Sequence, residues 1–152
     1  DGSYYASFSS EGKEGMDAVG TKFGFVQNQT YDLLKNSKAA LVTSGTATFE
    51  TALFGVPQVV CYKGSSFSYF LAKRLVNVPF LSFVNLIEDK EVVKELIQED
   101  FTVLNLKTEL RAILEPKKQQ DIKSEYQLVR AKLGGAGASK RTAQLMTSML
   151  KV

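Results

Sequence analysis

Up to Asp100, short apolar runs alternate with longer amphipathic segments. The runs are typical of strands buried on both faces of a sheet, and most have glycine, proline, serine or asparagine nearby. They predict four strands, at residues 23–26, 39–43, 58–62 and 80–84. Helices are predicted from a cap at Asn28 or Thr30 to residue 37, and at residues 47–54, 67–76 and 89–99. Short buried strands separated by helices predict a Rossmann-like α/β domain, with a parallel sheet flanked by helices.

Several helix ends have local signals. Gly55 is predicted to end the second helix, and Pro57 opens the strand that follows. Asp89 is predicted to cap the helix at residues 89–99, which places Val92, Val93, Leu96 and Ile97 on one apolar face.

Beyond Asp100 the strand pattern stops and three helices are predicted, at residues 104–114, 116–133 and 138–150. Pro116 suits the first position of the middle helix. The core-facing stripe of that helix is predicted to consist of Ile122, Tyr126, Val129 and Leu133.

The chain divides by composition into three parts. Residues 1–22 are rich in glycine and serine and are predicted to be a linker with part of a preceding element. Residues 23–133 form the predicted α/β domain, and residues 134–152 carry the last helix after a glycine-rich break. The chain starts at Asp1 with neither a methionine nor a signal-peptide pattern, so we expect it to be a piece of a longer protein.

Composition excludes several classes of chemistry for this chain. The 152 residues are 44% hydrophobic and 23% charged, as expected of a globular domain. A net charge of +3 is too small to indicate nucleic acid as the main partner. The sequence has no histidine, which excludes a histidine triad, a histidine zinc ligand and a histidine general base within it. The single cysteine, Cys61, excludes an internal disulfide and is predicted to be a buried core residue.

The most informative candidate site is Ser44-Gly45-Thr46, between a predicted strand and helix. Ligands of open α/β sheets bind beyond the carboxyl ends of the strands. Free amides and the positive dipole end of a helix start suit a phosphate. Gly45 allows close approach of the backbone, and the hydroxyls of Ser44 and Thr46 add donors. The alternative is an ordinary turn and helix cap.

Glu50 lies one turn inside the same predicted helix. A capping box would need serine or threonine at position 47, which is Ala47, and an ion pair to position 54 meets Phe54. A carboxylate behind a phosphate site can accept hydrogen bonds from ribose hydroxyls. The alternative is a solvated side chain.

Two further strand ends carry polar side chains. Lys63 can neutralise a phosphate or be a surface lysine, and Asn85 can bind a ligand or shape a turn. The predicted helix at residues 67–76 combines aromatic and basic residues, which suits an anionic membrane or an acyl-bearing substrate, or else core packing. No Asp-x-Asp pattern occurs, which argues against a metal-chelated nucleotide phosphate.

Ordered blocks of sequence resemble the lipid-A-disaccharide synthase family. They are LVTSGTATFE at residues 41–50, PQVVCYK at 57–63, LAKRLV at 71–76, and NLI at 85–87 followed by VKELIQ at 93–98. A lone Ser-Gly-Thr with a later glutamate also occurs in other enzymes that use uridine diphosphate (UDP) sugars. The ordered set is far more specific.

The resemblance implies a two-domain GT-B glycosyltransferase, of which this chain matches the C-terminal, nucleotide-binding half. The family transfers 2,3-diacylglucosamine from UDP-2,3-diacylglucosamine to 2,3-diacylglucosamine 1-phosphate, with inversion at the anomeric carbon and no expected metal or cofactor. It acts at the cytoplasmic face of the inner membrane of Gram-negative bacteria. The acceptor site and the catalytic base are expected in the other half, so the fragment alone is expected to be inactive.

The resemblance also assigns site residues by position. Ser44, Gly45 and Thr46 would hold the pyrophosphate, and Glu50 the ribose. The residues expected to line the cleft are Tyr62, Lys63, Asn85 and Gln98. The final helix is expected to dock on the missing half or to pair with a second copy. Two alternatives remain, namely another UDP-sugar transferase or epimerase, and a non-catalytic interaction module.

Overall fold

The computed structural model describes residues 24, 26–43, 45–64, 79–134 and 137–150. The predicted helix at residues 67–76 and the side chain of Ser44 therefore lie outside the described residues. The chain forms two compact units, Asp1–Leu33 and Leu34–Val152. In the first unit, Gly24 and Val26 lie in neither a helix nor a strand, and the rest of the strand predicted there is outside the described residues.

Helices and strands alternate in the described part of the chain. They are α1 (Thr30–Lys35), β1 (Ala40–Val42), α2 (Gly45–Leu53), β2 (Gln58–Tyr62), α3 (Phe83–Glu88), β3 (Lys94–Ile97), a 3-10 turn (Gln98–Asp100), α4 (Val103–Leu114), α5 (Pro116–Lys132) and α6 (Ala138–Met149). The three described strands form a parallel sheet in the order β1-β2-β3. The register pairs Leu41 with Val59 and Cys61 with Leu96. This architecture confirms the predicted Rossmann-like α/β class.

The core of the second unit surrounds β2, whose apolar run is buried on both faces as predicted. Other parts of the chain also contribute buried side chains to this core, among them Val84, Val93, Leu96, Ile113, Ile122, Tyr126 and Val129. Helix α5 therefore contributes the predicted stripe of Ile122, Tyr126 and Val129. Leu133, the fourth predicted member, is 42% exposed because α5 ends at Lys132, one residue before it.

The prediction was wrong for residues 80–99. The apolar run at residues 80–84 is not a strand: Ser82 caps α3, accepting a hydrogen bond from the Asn85 amide at 3.3 Å. The predicted helix at residues 89–99 is instead the approach to β3 and β3 itself. Asp89 ends α3 in the left-handed conformation, with φ of 51°, rather than starting a helix. Parallel pairing with β2 then fixes the extended backbone of β3.

The other helix ends follow the sequence signals. Gly55 has φ of 72° and the Val56 amide bonds back to the Thr51 carbonyl, an end that glycine favours. Pro116 occupies the first turn of α5. Helix α6 buries none of its residues. Within the described residues, no helix is both long enough and apolar enough to cross a membrane.

Candidate functional site

A cavity of about 300 Å³ opens at the carboxyl ends of β1 and β2. Its walls are Thr43, Gly45, Val60, Tyr62 and Leu81. The cavity lies where a parallel sheet binds its ligands, because the strands are parallel and their carboxyl ends meet at one edge. Two predicted site residues, Gly45 and Tyr62, are brought together there.

Helix α2 starts at this cavity with Gly45 as its first residue. The leading amides of a helix have no partner within the helix, and its dipole makes that end positive. Inside α2, the Thr51 side chain hydrogen-bonds to the helix backbone itself, because its hydroxyl donates to the Ala47 carbonyl at 2.7 Å. The start of α2 therefore offers backbone donors to an anion in the cavity.

Gly45 leaves room at the cavity wall, although its backbone does not require glycine. Its φ is not among the positive values of the chain. A Cβ at this position would lie 3.5 Å from Cε2 of Phe83 and 3.9 Å from the carbonyl oxygen of Leu81, which are ordinary contact distances. The glycine thus keeps open the gap between α2 and the segment that carries Leu81.

Glu50 and Thr46 lie on α2 but do not line the cavity. Thr46 is exposed and Glu50 is half-buried. Within the described part of the chain, the Glu50 carboxylate has no hydrogen bond or ion pair. Glu50 is five residues along the helix from Gly45, a rise of about 7.5 Å. Its carboxylate is therefore free to accept hydrogen bonds from a ligand.

Tyr62, Gly64 and Gln98 form a cluster beyond the ends of β2 and β3. A Cβ on Gly64 would meet the Tyr62 hydroxyl at 2.8 Å, so the phenol ring lies directly against this glycine. The Gly64 amide donates to Oε1 of Gln98 at 3.2 Å. Gln98 is 7% exposed, and its Nε2 has no hydrogen-bond partner among the described residues. Gln98 therefore holds a buried, unused donor beside the turn after β2.

Lys63, between Tyr62 and Gly64, is exposed and has no ion pair within the described ranges. It is not one of the residues that line the cavity. Among the described residues, its ammonium group is therefore a cation without a partner on the strand-end side of the sheet.

Asn85 was predicted to follow a strand, and this prediction was wrong. Asn85 instead lies fully buried within α3. Its Oδ1 accepts from the amides of Val92 at 2.8 Å and Val93 at 3.0 Å. Its Nδ2 donates to the Val93 carbonyl at 2.8 Å and to Oε1 of Glu95 at 2.9 Å. Every strong hydrogen-bonding position of this amide is used within the protein.

Sequence reasoning missed three residues that shape the site: Thr43, Leu81 and Glu95. Thr43 could have been found, because it is the last residue of the second predicted strand, at residues 39–43. Leu81 and Glu95 carried no signal, since residues 80–84 were predicted as a strand and Glu95 as part of a helix. Their placement depends on the loop before α3.

Reactive side chains are scarce near the cavity. Cys61 is buried in β2, and burial raises the pKa of its thiol, so it is held as the unreactive neutral form. The described residues contain no group of three or more acidic, cysteine or histidine side chains placed to hold a metal ion.

A parallel sheet, a helix that starts at the end of its first described strand and a cavity at that point define a Rossmann-like α/β domain with a strand-end cavity. Residues 12–149 match the family model described as lipid-A-disaccharide synthetase. Lipid-A-disaccharide synthases are also among the similar curated proteins. That of Syntrophus aciditrophicus is 39% identical over 127 residues, covering 83% of this chain and 33% of the relative. That of Acidobacterium capsulatum is 43% identical over 107 residues, covering 70% of this chain and 27% of the relative.

The chain belongs to the lipid-A-disaccharide synthase family, a family of glycosyltransferases of lipid A biosynthesis. This confirms the resemblance inferred from the sequence blocks. The chain spans about a third of the length of the curated relatives it matches, as for the synthase of Sulfurihydrogenibium, of which it covers 32%.

Proposed function

We propose that this chain is the donor-binding part of a lipid-A-disaccharide synthase. The whole enzyme would transfer 2,3-diacylglucosamine from UDP-2,3-diacylglucosamine to 2,3-diacylglucosamine 1-phosphate, releasing UDP. The observation that carries the proposal is the cavity at the start of α2, in a chain that belongs to this family. The lining of that cavity includes Gly45, one of the residues predicted to hold the pyrophosphate.

The pyrophosphate of the donor would bind at the start of α2. Backbone amides at Gly45 and Thr46, with the hydroxyls of Ser44 and Thr46, would donate to its oxygens. As the glycosidic bond breaks, negative charge grows on UDP, and fixed dipoles in a dry site stabilise that charge. Lys63 would add a positive charge nearby.

The remaining predicted residues would orient the rest of the donor. The carboxylate of Glu50, which has no partner among the described residues, would accept hydrogen bonds from the ribose hydroxyls. Tyr62 would contact the donor at the cavity wall, and Gln98 would offer its free Nε2. Asn85 would act through the loop it holds, because a direct contact would cost it an existing hydrogen bond.

The reaction would invert the anomeric carbon. The acceptor hydroxyl attacks that carbon from the face opposite UDP, the new C–O bond forms as the bond to UDP breaks, and the hydroxyl proton passes to a base. That base and the acceptor site would belong to the part of the enzyme outside this chain, so the chain alone would have no transferase activity. No metal and no cofactor enter this scheme.

The exposed apolar side chains of the last helix are evidence for a contact with another part of the same enzyme. Leu145, Met146 and Met149 on α6, and Leu150 directly after it, are all more than 60% exposed. We infer that this apolar face packs on the other half of the enzyme, with a homodimer as the alternative. Acylated substrates would place the enzyme peripherally at the cytoplasmic face of the inner membrane. A monomer in light scattering at high concentration would contradict pairing between copies of this chain.

Titration of this chain with UDP to millimolar concentration tests the donor site. Amide resonances of Gly45, Thr46 and Glu50 should shift, whereas that of Gly55 at the far end of α2 should not. No shift near Gly45 and Glu50 would refute the site. For the full-length enzyme, a preference for UDP-N-acetylglucosamine over the diacylated donor would favour another UDP-sugar enzyme instead.

A further inference from the structure

The carboxylate of Glu95, on β3, collects three hydrogen bonds. The Leu81 amide donates to its Oε2 at 2.8 Å, and the Ser82 amide donates to its Oε1 at 2.9 Å. The third donor is Nδ2 of Asn85, also to Oε1, at 2.9 Å. All three donors are neutral, so the negative charge strengthens each bond without forming an ion pair.

The segment that Glu95 holds forms a wall of the cavity. Leu81 is one of the lining residues, and its carbonyl oxygen lies 3.9 Å from where a Cβ on Gly45 would be. The neighbouring Ser82 is fully buried and caps α3. The Leu81–Ser82 segment is thus tied to β3 on one side and faces the start of α2 on the other.

We propose that Glu95 is a positioning residue for the donor site. Its carboxylate fixes the Leu81–Ser82 segment and thereby sets the width of the gap beside Gly45 that the donor diphosphate enters. The inference rests on the proposed function, since the width of this gap matters only if a ligand binds there.

Glutamate suits this position for a specific reason. Three converging N–H groups require a group that only accepts hydrogen bonds, and an ionised carboxylate is such a group. Glutamine at position 95 would keep an oxygen for the Ser82 amide and Asn85. Its NH₂ group would then face the Leu81 amide, donor against donor. The Glu95→Gln change therefore removes the hydrogen bond to the Leu81 amide in the cavity wall and keeps the bonds from Ser82 and Asn85.

The test compares Glu95→Gln with the matched control Glu91→Gln in this chain. Glu91 forms only an exposed ion pair with Lys94, at 3.0 Å, so its change removes the same charge with little structural effect. In Glu95→Gln, the Leu81 amide should exchange with solvent about tenfold faster or more, as expected on losing a hydrogen bond to a charged group, with a smaller change at Ser82. The Kd for UDP, measured by NMR well below the melting temperature, should rise about tenfold.

Three outcomes would overturn the inference: unchanged Leu81 exchange, a UDP Kd within twofold of wild type, or an equal rise in Glu91→Gln. If Glu95→Gln does not fold, Leu81→Ala replaces it, because trimming the wall leaves the backbone bonds to Glu95 in place. That variant should also bind UDP more weakly, and unchanged binding would refute the role of the wall. Wild-type protein that fails to bind UDP would refute the proposed function itself, whereas the Leu81 exchange rate is read without any ligand.

Discussion

Replacing Asn85 by alanine is expected to destabilise the fold by about 4 kcal/mol. The change removes the acceptor of two buried backbone amides, those of Val92 and Val93, which are 7% and 1% exposed. An orphaned buried amide costs about 1–3 kcal/mol, so the two together cost about 2–6 kcal/mol. The Val93 carbonyl loses its bond as well, while Glu95 keeps its two backbone donors. A loss of this size is a large fraction of the roughly 5–15 kcal/mol that stabilises a typical domain.

Equilibrium urea unfolding followed by far-UV circular dichroism measures this loss. With a urea dependence of about 2 kcal/mol/M, the midpoint should fall by about 2 M. Asn105→Ala is the matched control, because among the described residues the Asn105 side chain makes one hydrogen bond, to the Asp100 carbonyl at 2.8 Å near the surface. That control should lose no more than about 1 kcal/mol. A loss below about 1 kcal/mol for Asn85→Ala would show that Asn85 does not hold the approach to β3.

Three other changes probe the site and the core. Gly45→Ala should leave the melting temperature near that of wild type, because the added Cβ makes only ordinary contacts. The same change should weaken UDP binding measured by calorimetry. An unchanged affinity would show that Gly45 is not part of the site. Gly64→Ala should cost under about 1 kcal/mol but displace the half-exposed Tyr62 ring, seen as a shift of its ring resonances, and an unmoved ring would contradict the packing described. Burial raises the pKa of Tyr126 above its ordinary value of about 10, so this residue's contribution to stability is complete below pH 10 and falls above it by about 1.4 kcal/mol per pH unit. Tyr126→Phe should flatten that alkaline decline in melting temperature relative to wild type, whereas the contribution of Cys61, whose pKa burial also raises, stays in both proteins.

The sequence predicted the fold best where local signals and burial agree. The strand at residues 58–62 matches β2 residue for residue, because its β-branched run is buried on both faces of the sheet and bounded by Pro57 and Gly64. The ends of α2 and α5 follow from Gly55 and Pro116, whose backbone preferences act without help from distant residues.

Prediction was wrong where a distant partner decides the conformation. Val92, Val93, Leu96 and Ile97 fit one face of a helix, but pairing with β2 makes residues 94–97 a strand. Short apolar runs do not distinguish the two structures by periodicity alone. The hydrogen bonds from Asn85 to the Val92–Val93 backbone are equally invisible in sequence, since an asparagine after an apolar run is more typical of a turn.

The same limit applies to the candidate site. Gly45 could be predicted to lie at the strand-end cavity, because the strand-end rule needs only one strand and the helix after it. Leu81 joins that site through the loop before α3, and Glu95 supports the loop from β3. Neither relation follows from spacing along the chain.

The parallel order of the sheet has a consequence for how the domain assembles. Ala40 pairs with Gln58, 18 positions away, whereas Tyr62 pairs with Ile97, 35 positions away. Closing a loop of twice the length costs about 0.6 kcal/mol more chain entropy, and such distant pairings slow folding. We therefore expect β1 and β2 to associate early, even on the ribosome, and β3 to join late. The strand-end cavity, whose Leu81 wall is held by Glu95 on β3, would then be completed by one of the last folding steps, and a mutation that delays the pairing of β3 would delay its formation.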